Sequence, residues 1–202
     1  MDQVKRKTSA ERQVEIIQAV LKIIGEQGFS SLKTNSIAAE VGISSGAIFR
    51  HFSSLENIFR QVVIYCITKI EETFPDTSLP PLERLKTLIT NRVMLFDASP
   101  GLAWLLRSEQ SLLILPEDSV VSLKEMTIKS KNYILDLLKE GMASGIIRTD
   151  IEAKNLLIPV VGTTHTIIGI HGISSGESYS KTEFDQALLA LERLITSPDQ
   201  LD

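Results

Sequence analysis

Residues 36–52 constrain the fold of this chain more than any other stretch: Ser-Ile-Ala-Ala-Glu-Val-Gly-Ile-Ser-Ser-Gly-Ala-Ile-Phe-Arg-His-Phe. Ile37, Ala38 and Val41 fall at i, i+1 and i+4, so they share one face of a short helix. Gly42 ends that helix, because glycine takes a left-handed backbone at little steric cost. Ile43 plugs the turn into the core. Ser44 is placed to cap a second helix, its hydroxyl accepting from a free backbone N–H. Ile48 and Phe52, four apart, point inward and leave Ser45, Ala47 and Arg50 outward. Gly46 and Ala47 keep that outer side low. Two short helices so joined are a helix-turn-helix, the second helix shaped to enter a DNA major groove.

The flanks extend this unit. Ile16, Ile17, Val20, Leu21 and Ile24 mark an amphipathic helix from about residue 10 to 27, closed by Gly28-Phe29. Ser53-Ser54-Leu55-Glu56 fits a capping box, with Ser53 as cap, and opens a helix to about Phe74. The N-terminal unit is therefore three helices followed by a long connector.

Residues 10–60 resemble the DNA-binding domain of TetR-family transcriptional regulators. The resemblance is carried by Gly28-Phe29, Ile37-Ala38, Val41-Gly42-Ile43-Ser44, Gly46, Ile48-Phe49 and His51-Phe52. It implies DNA contacts from Lys33, Thr34, Ser44, Ser45, Gly46, Ala47, Phe49, Arg50 and His51. Three positions depart from the family pattern. Phe49 stands where a Tyr is usual, so a phenolic phosphate contact is missing. Leu55 replaces a Lys that opens the connector helix. Lys33 occupies a position where Thr or Ser often caps the second helix, leaving Thr34 to cap. Each lost phosphate contact flattens the salt dependence of binding by about 0.9 in log–log slope. Lys33, Arg50 and the arm Lys5-Arg6-Lys7 are available to compensate.

Charge distribution agrees with this reading. The net charge of −4 over 202 residues carries no global nucleic-acid signature. Residues 1–60, however, hold 8 Lys/Arg against 6 Asp/Glu, and the remainder 13 against 19. A mildly basic head on an acidic body fits a reader whose body stays off the phosphates. The one cysteine, Cys66, excludes an internal disulfide and a cysteine-based zinc site. It sits in an apolar helical run, as a small buried hydrophobe. The polar, charged start has no signal-peptide core, so a cytoplasmic location is expected.

After the connector, Pro75 and Ser78-Leu79-Pro80-Pro81 mark a break. Helices are predicted at about 81–97, 101–114, 118–144, 150–174 and 181–196, and no strand pattern stands out. Thr149-Asp150-Ile151-Glu152 reads as a second capping box. The expected fold is all-α. Residues 1–54 form a helix-turn-helix DNA-binding domain and 55–202 a helical ligand-binding and dimerisation domain. The total of about nine helices is what the resemblance implies. Leu156–Ile173 is free of acids and bases apart from two histidines, yet Pro159 and Thr163, Thr164 and Thr166 suit lipid poorly. A subunit-interface helix explains it better than a membrane span.

The resemblance implies a homodimer paired through the last two helices. Gly162, Ile167, Gly169, Leu188, Leu191 and Ile195 are the interface candidates. Two recognition helices then face successive major grooves, roughly 34–36 Å apart, on a palindromic operator of double-stranded DNA. A small effector, apolar or amphipathic, is implied in the body, with Phe96, Trp104, Met126, Tyr133 and His165 as lining candidates. No cofactor or metal is expected. An enzyme is disfavoured, since HExxH, GxSxG, P-loop and cysteine–histidine sets are all missing. His165 and His171 are six apart, which turns them about 240° from each other on a helix. The remaining alternative is a helical ligand-binding or scaffold dimer whose helix-turn-helix no longer reads DNA, for which Phe49 and Leu55 speak.

Overall fold

The computed structural model describes residues 7–168 and 180–197. Among these it is all-α, with ten helices, a single 3-10 turn and no strand. They form two compact units. The first holds the described residues up to Lys69 together with Ala98–Lys124. The second holds Ile70–Asp97 and the described residues from Glu125 on.

In the first unit, α1 (Ser9–Gln27) opens on a reciprocal capping box. Thr8 Oγ1 accepts from the Glu11 N–H, and the Glu11 carboxylate accepts from the Thr8 N–H at 2.7 Å. Ile16, Ile17, Val20, Leu21, Ile23 and Ile24 bury its inner face. Gly28, at φ 75°, turns the chain into the 3-10 turn Phe29–Ser31. Helix α2 (Thr34–Val41) packs on α1, and α3 (Ser45–Ile48) on α2. The same unit includes the start of α4 (Leu55–Glu71), then α6 (Pro100–Arg107) and α7 (Glu109–Ile114). Helix α6 lies against α1 so closely that a Cβ on Gly101 would stand 1.7 Å from the Leu21 carbonyl oxygen.

The second unit is built on α5 (Pro81–Ala98), most of α8 (Glu117–Ala143), α9 (Ala153–Ile167) and α10 (Lys181–Ile195). Its core joins Leu85, Leu88 and Ile89 of α5 to Leu137 and Leu138 of α8. Leu156 and Val160 of α9 and Leu191 and Ile195 of α10 complete it. An isolated antiparallel bridge ties Ile147 to Thr196, with the Arg148 N–H donating to Ile195 O at 3.0 Å.

Several local expectations need correction. The helix expected at 101–114 is two, α6 and α7. Ser108 between them has extended backbone, and its hydroxyl accepts from the Gln110 N–H. Ser54, not Ser53, caps α4 by accepting from Asn57 N–H at 3.0 Å; Glu56 is drawn instead to Arg60. Thr34 is the first residue of α2 rather than its cap, and Lys33 at the cap position makes no side-chain capping bond. The box at Thr149–Glu152 does not form. Asp150 is held by Arg148 at 2.6–2.7 Å, and Glu152 precedes α9 without a side-chain cap. The predicted continuation of α9 to residue 174 lies outside the described residues.

Candidate nucleic-acid interface

The helix-turn-helix is built as its residues dictate. Gly42 takes φ 72°, ψ 36°, its N–H donating back to the carbonyls of Ala38 and Ala39. The Ile43 N–H donates to Ala38 O at 2.9 Å, which closes the turn. Ser44 Oγ accepts from the Ala47 N–H and caps α3. Ile48 and Phe52 are buried, at 0% and 3% exposure, and these anchors fix which side faces out. Helix α3 itself is only four residues long. Beyond it the chain tightens: Arg50 N–H donates to Ala47 O and His51 N–H to Ile48 O. Gly46, Phe49 and Arg50 are exposed, and Ser45, Ala47 and His51 are half-buried.

Helix α1 braces this surface. Gln13 Nε2 donates to the His51 carbonyl at 2.8 Å, and Ser9 Oγ lies 3.0 Å from His51 Nδ1. With Ser9 donating, His51 carries its proton on Nε2, the nitrogen that Ser9 leaves uncommitted. Ser45 Oγ donates to Asn35 Oδ1 at 2.6 Å, so α2 and α3 are linked side chain to side chain. Ser9, Gln13 and Asn35 escape a sequence reading. The only signal was a pair of polar residues four apart at the start of an amphipathic helix.

Pairing decides which charges are available to a polyanion. Lys22 pairs with Glu40 at 2.7 Å, Arg12 with Glu15 at 2.9 Å, and Lys7 with Glu15 as well. Lys7 is therefore committed, and Lys5 and Arg6 lie outside the described residues. Lys33 and Arg50 are exposed and form no ion pair among the described residues. Two cations without an ion pair among the described residues accompany a low surface on which Ser44 and Ser45 are internally hydrogen-bonded. That is a surface suited to phosphates and base edges.

Residues 16–62 match the family model for bacterial regulatory proteins of the tetR family. The transcriptional repressor KstR2 of Mycolicibacterium smegmatis is 24% identical over 187 residues, 90% of this chain and 89% of that protein. The solved structure of the ketosteroid transcriptional regulator KstR2 of Mycobacterium tuberculosis superposes with a TM-score of 0.77 at 19% identity. It covers 96% of this chain and 97% of that one. Residues 16–62 are a TetR-family DNA-binding domain. AibR, solved in complex with isovaleryl coenzyme A and operator DNA, shares the fold at TM-score 0.70 and 15% identity, covering 91% and 97%.

In this TetR-type chain the ring of Phe49 is 48% exposed, so the aromatic surface is kept where the phenol is lost. Leu55 begins α4 half-buried and offers no charge. The effector candidates are divided. Trp104 belongs to the first unit and meets Phe29 edge-on, ring centres 5.7 Å apart. In the second unit Met126 is buried, Phe96 half-buried and His165 exposed. Tyr133 packs edge-on against Phe74 at 4.9 Å. Of the interface candidates, Ile167, Leu191 and Ile195 are buried within the single chain, and Leu188 packs on the core cluster. Gly162 is exposed, and Gly169 lies outside the described residues. Ile158, Leu189 and Leu194 are the large apolar side chains that α9 and α10 leave exposed. No helix among the described residues is long and apolar enough to cross a membrane.

Cys66 is fully buried, and burial pushes its thiol up to about 12. A neutral thiol without access to solvent has no thiolate chemistry at ordinary pH.

Proposed function

We propose that this chain is a homodimeric, ligand-responsive repressor that binds a palindromic operator. Residues 1–54 serve as the DNA reader. Residues 55–202 serve as the effector-binding and dimerisation body. The observation that carries the reading is the ridge Gly46–His51. It is held outward by buried Ile48 and Phe52, braced through His51 by α1, and carries Arg50, which like Lys33 forms no ion pair among the described residues. Arg50 is assigned a base edge, and His51 a phosphate through Nε2.

Exposed Ile158, Gly162, Leu189 and Leu194 make α9 and α10 the dimer face, which sets two ridges on successive grooves. A small effector with an apolar part lowers operator affinity by a reciprocal coupling of about 1–3 kcal/mol. AibR, crystallised in complex with isovaleryl coenzyme A and operator DNA, supports a small effector and an operator as ligands of this fold.

Gel retardation of the DNA upstream of the chain's own gene tests the proposal. Binding that weakens steeply with salt, and that fails in Arg50→Ala, is expected. No retardation of any fragment at low salt would leave a helical scaffold dimer as the surviving reading.

A further inference from the structure

The second unit contains a cation that no carboxylate neutralises among the described residues. Arg92 on α5 donates through Nε to Thr73 Oγ1 at 2.5 Å and through Nη2 to Ser130 Oγ at 3.1 Å. Both hydroxyls spend their own protons on helix carbonyls, Thr73 on Ile70 and Ser130 on Met126. They can therefore only accept, and both are neutral. The guanidinium also lies 5.3 Å from the Phe74 ring centre. Among the described residues no carboxylate pairs with it, and burial alone lowers its pKa to about 10. It stays charged at neutral pH, and a half-buried charge held only by neutral hydroxyls is incompletely compensated.

The neighbouring groups do not supply the missing charge. Among the described residues, Lys129 lies over the Phe74 ring with Glu71 on it, and Arg84 and Glu140 act on Tyr133. Lys129 is paired with Glu71, and Arg84 with Glu140. Each acid is thus taken, and Arg92 is left over. Two further donors nearby are unsatisfied. The Tyr133 hydroxyl, one turn along α8 from Ser130, and Arg84 Nε are both buried without a partner among the described residues. Tyr133 also packs on the same Phe74 ring as Arg92. The cluster is rich in donors and short of one anionic acceptor.

We infer that Arg92, with the Tyr133 hydroxyl, holds the oxyanion of the effector, a carboxylate or phosphate group, beside Thr73, Ser130 and Phe74. This rests on the proposed effector-responsive function and narrows the ligand to one with an acidic head. Thr73 lies two residues past the end of α4, so the anion shares its guanidinium with the residue that follows the connector helix. A charge-assisted contact from a planar guanidinium is the strong kind, and a neutral analogue cannot replace it.

Thermal unfolding at fixed protomer concentration tests this with three probes: decanoate, decanol and inorganic phosphate. Decanoate should raise the melting temperature of the wild type more than decanol at equal concentration. Arg92→Met should weaken the decanoate response by about tenfold or more. Tyr133→Phe removes an unpartnered hydroxyl, so it should leave the free protein as stable as wild type while weakening decanoate several-fold. A purely structural role for Tyr133 would not split in that way. An Arg92-dependent rise with phosphate alone, to which decanoate adds nothing, supports the site and makes a free oxyanion its occupant. Neither anion giving an Arg92-dependent rise overturns the inference, as does an unchanged decanoate response in both variants. Gel retardation without any probe reads the regulator proposal separately. Operator binding with no anion response sinks only the anion site, and an anion response without operator binding sinks only the regulator.

Discussion

Replacing Gly101 by alanine should test the seat of α6 on α1. The change adds one methyl to a helical residue, and by helix preference alone alanine is better than glycine by up to about 1 kcal/mol. Packing acts the other way. The new Cβ would stand 1.7 Å from Leu21 O and 2.5 Å from Leu21 C. A relaxed carbon–oxygen approach is about 3.3 Å, so the helices must part by roughly 1.5 Å. Overpacking costs typically about 1–3 kcal/mol. The upper end applies here, because the obstacle is α1 backbone and no rotamer change relieves it. The net loss is then about 2 kcal/mol, or a fall in melting temperature of about 4–8 °C for a chain of this size. Gly141→Ala is the control. Its Cβ would meet the Ile147 side chain at 2.5 Å, a group that can turn, so the loss should be smaller. Calorimetry at one protomer concentration reads both. Operator affinity of Gly101→Ala well below its melting point should fall too, since Ser9 and Gln13 on a displaced α1 lose their hold on His51. A melting temperature that rises in Gly101→Ala would refute the close crossing and the brace argued from it.

Three further outcomes are expected. Arg50→Ala should cost about 1–3 kcal/mol at one operator position and relax preference there, measured by titrating single-base operator variants; an equal loss on every sequence would make Arg50 a phosphate contact. Gly162→Leu should change the sedimentation coefficient, because among the described residues nothing lies within 4 Å of a Cβ there and the proposed partner subunit is what the new side chain would meet; a profile identical to wild type would remove α9 from the interface. Cys66 should resist iodoacetamide in the folded protein and react on unfolding. Its folded pKa of about 12 exceeds the ordinary thiol value of 9.0, so its contribution to stability is present below about pH 9 and is lost as pH rises toward 12.

The reading ridge was legible in the sequence because its determinants are local. Gly42, Ser44, Ile48 and Phe52 act within ten residues of one another, and each has one physically sensible role there. The same holds for the apolar stripe of α1. The failures share a cause as well. Ser-x-x-Glu at Ser53 and Thr-x-x-Glu at Thr149 are capping patterns only while the acid has no better partner. Arg60 takes Glu56, and Lys154 takes Glu152. Ser108 breaks α6 from α7 although the flanking residues are apolar enough to continue a helix. Apolarity told that Ile167, Leu191 and Ile195 are covered, but not by what, and their own chain suffices to bury them.

The contrast between the two functional regions follows from this. A DNA reader meets a repetitive polymer of known geometry, so a short continuous segment with the right turn can carry it, and such a segment announces itself. An effector cluster has no such template. Arg92 looks like an ordinary helix-surface cation in the sequence, since Lys86 and Glu83 nearby set that expectation. Its isolation emerges only when Thr73 and Ser130, from two other parts of the chain, arrive beside it with hydroxyls instead of carboxylates. An acid at either position would have neutralised it, and evolution toward stability alone favours such an acid. Keeping hydroxyls there leaves the charge without a carboxylate partner among the described residues, as the proposed anion site requires. Thr73→Glu or Ser130→Asp should accordingly stabilise the free protein while abolishing its response to anions.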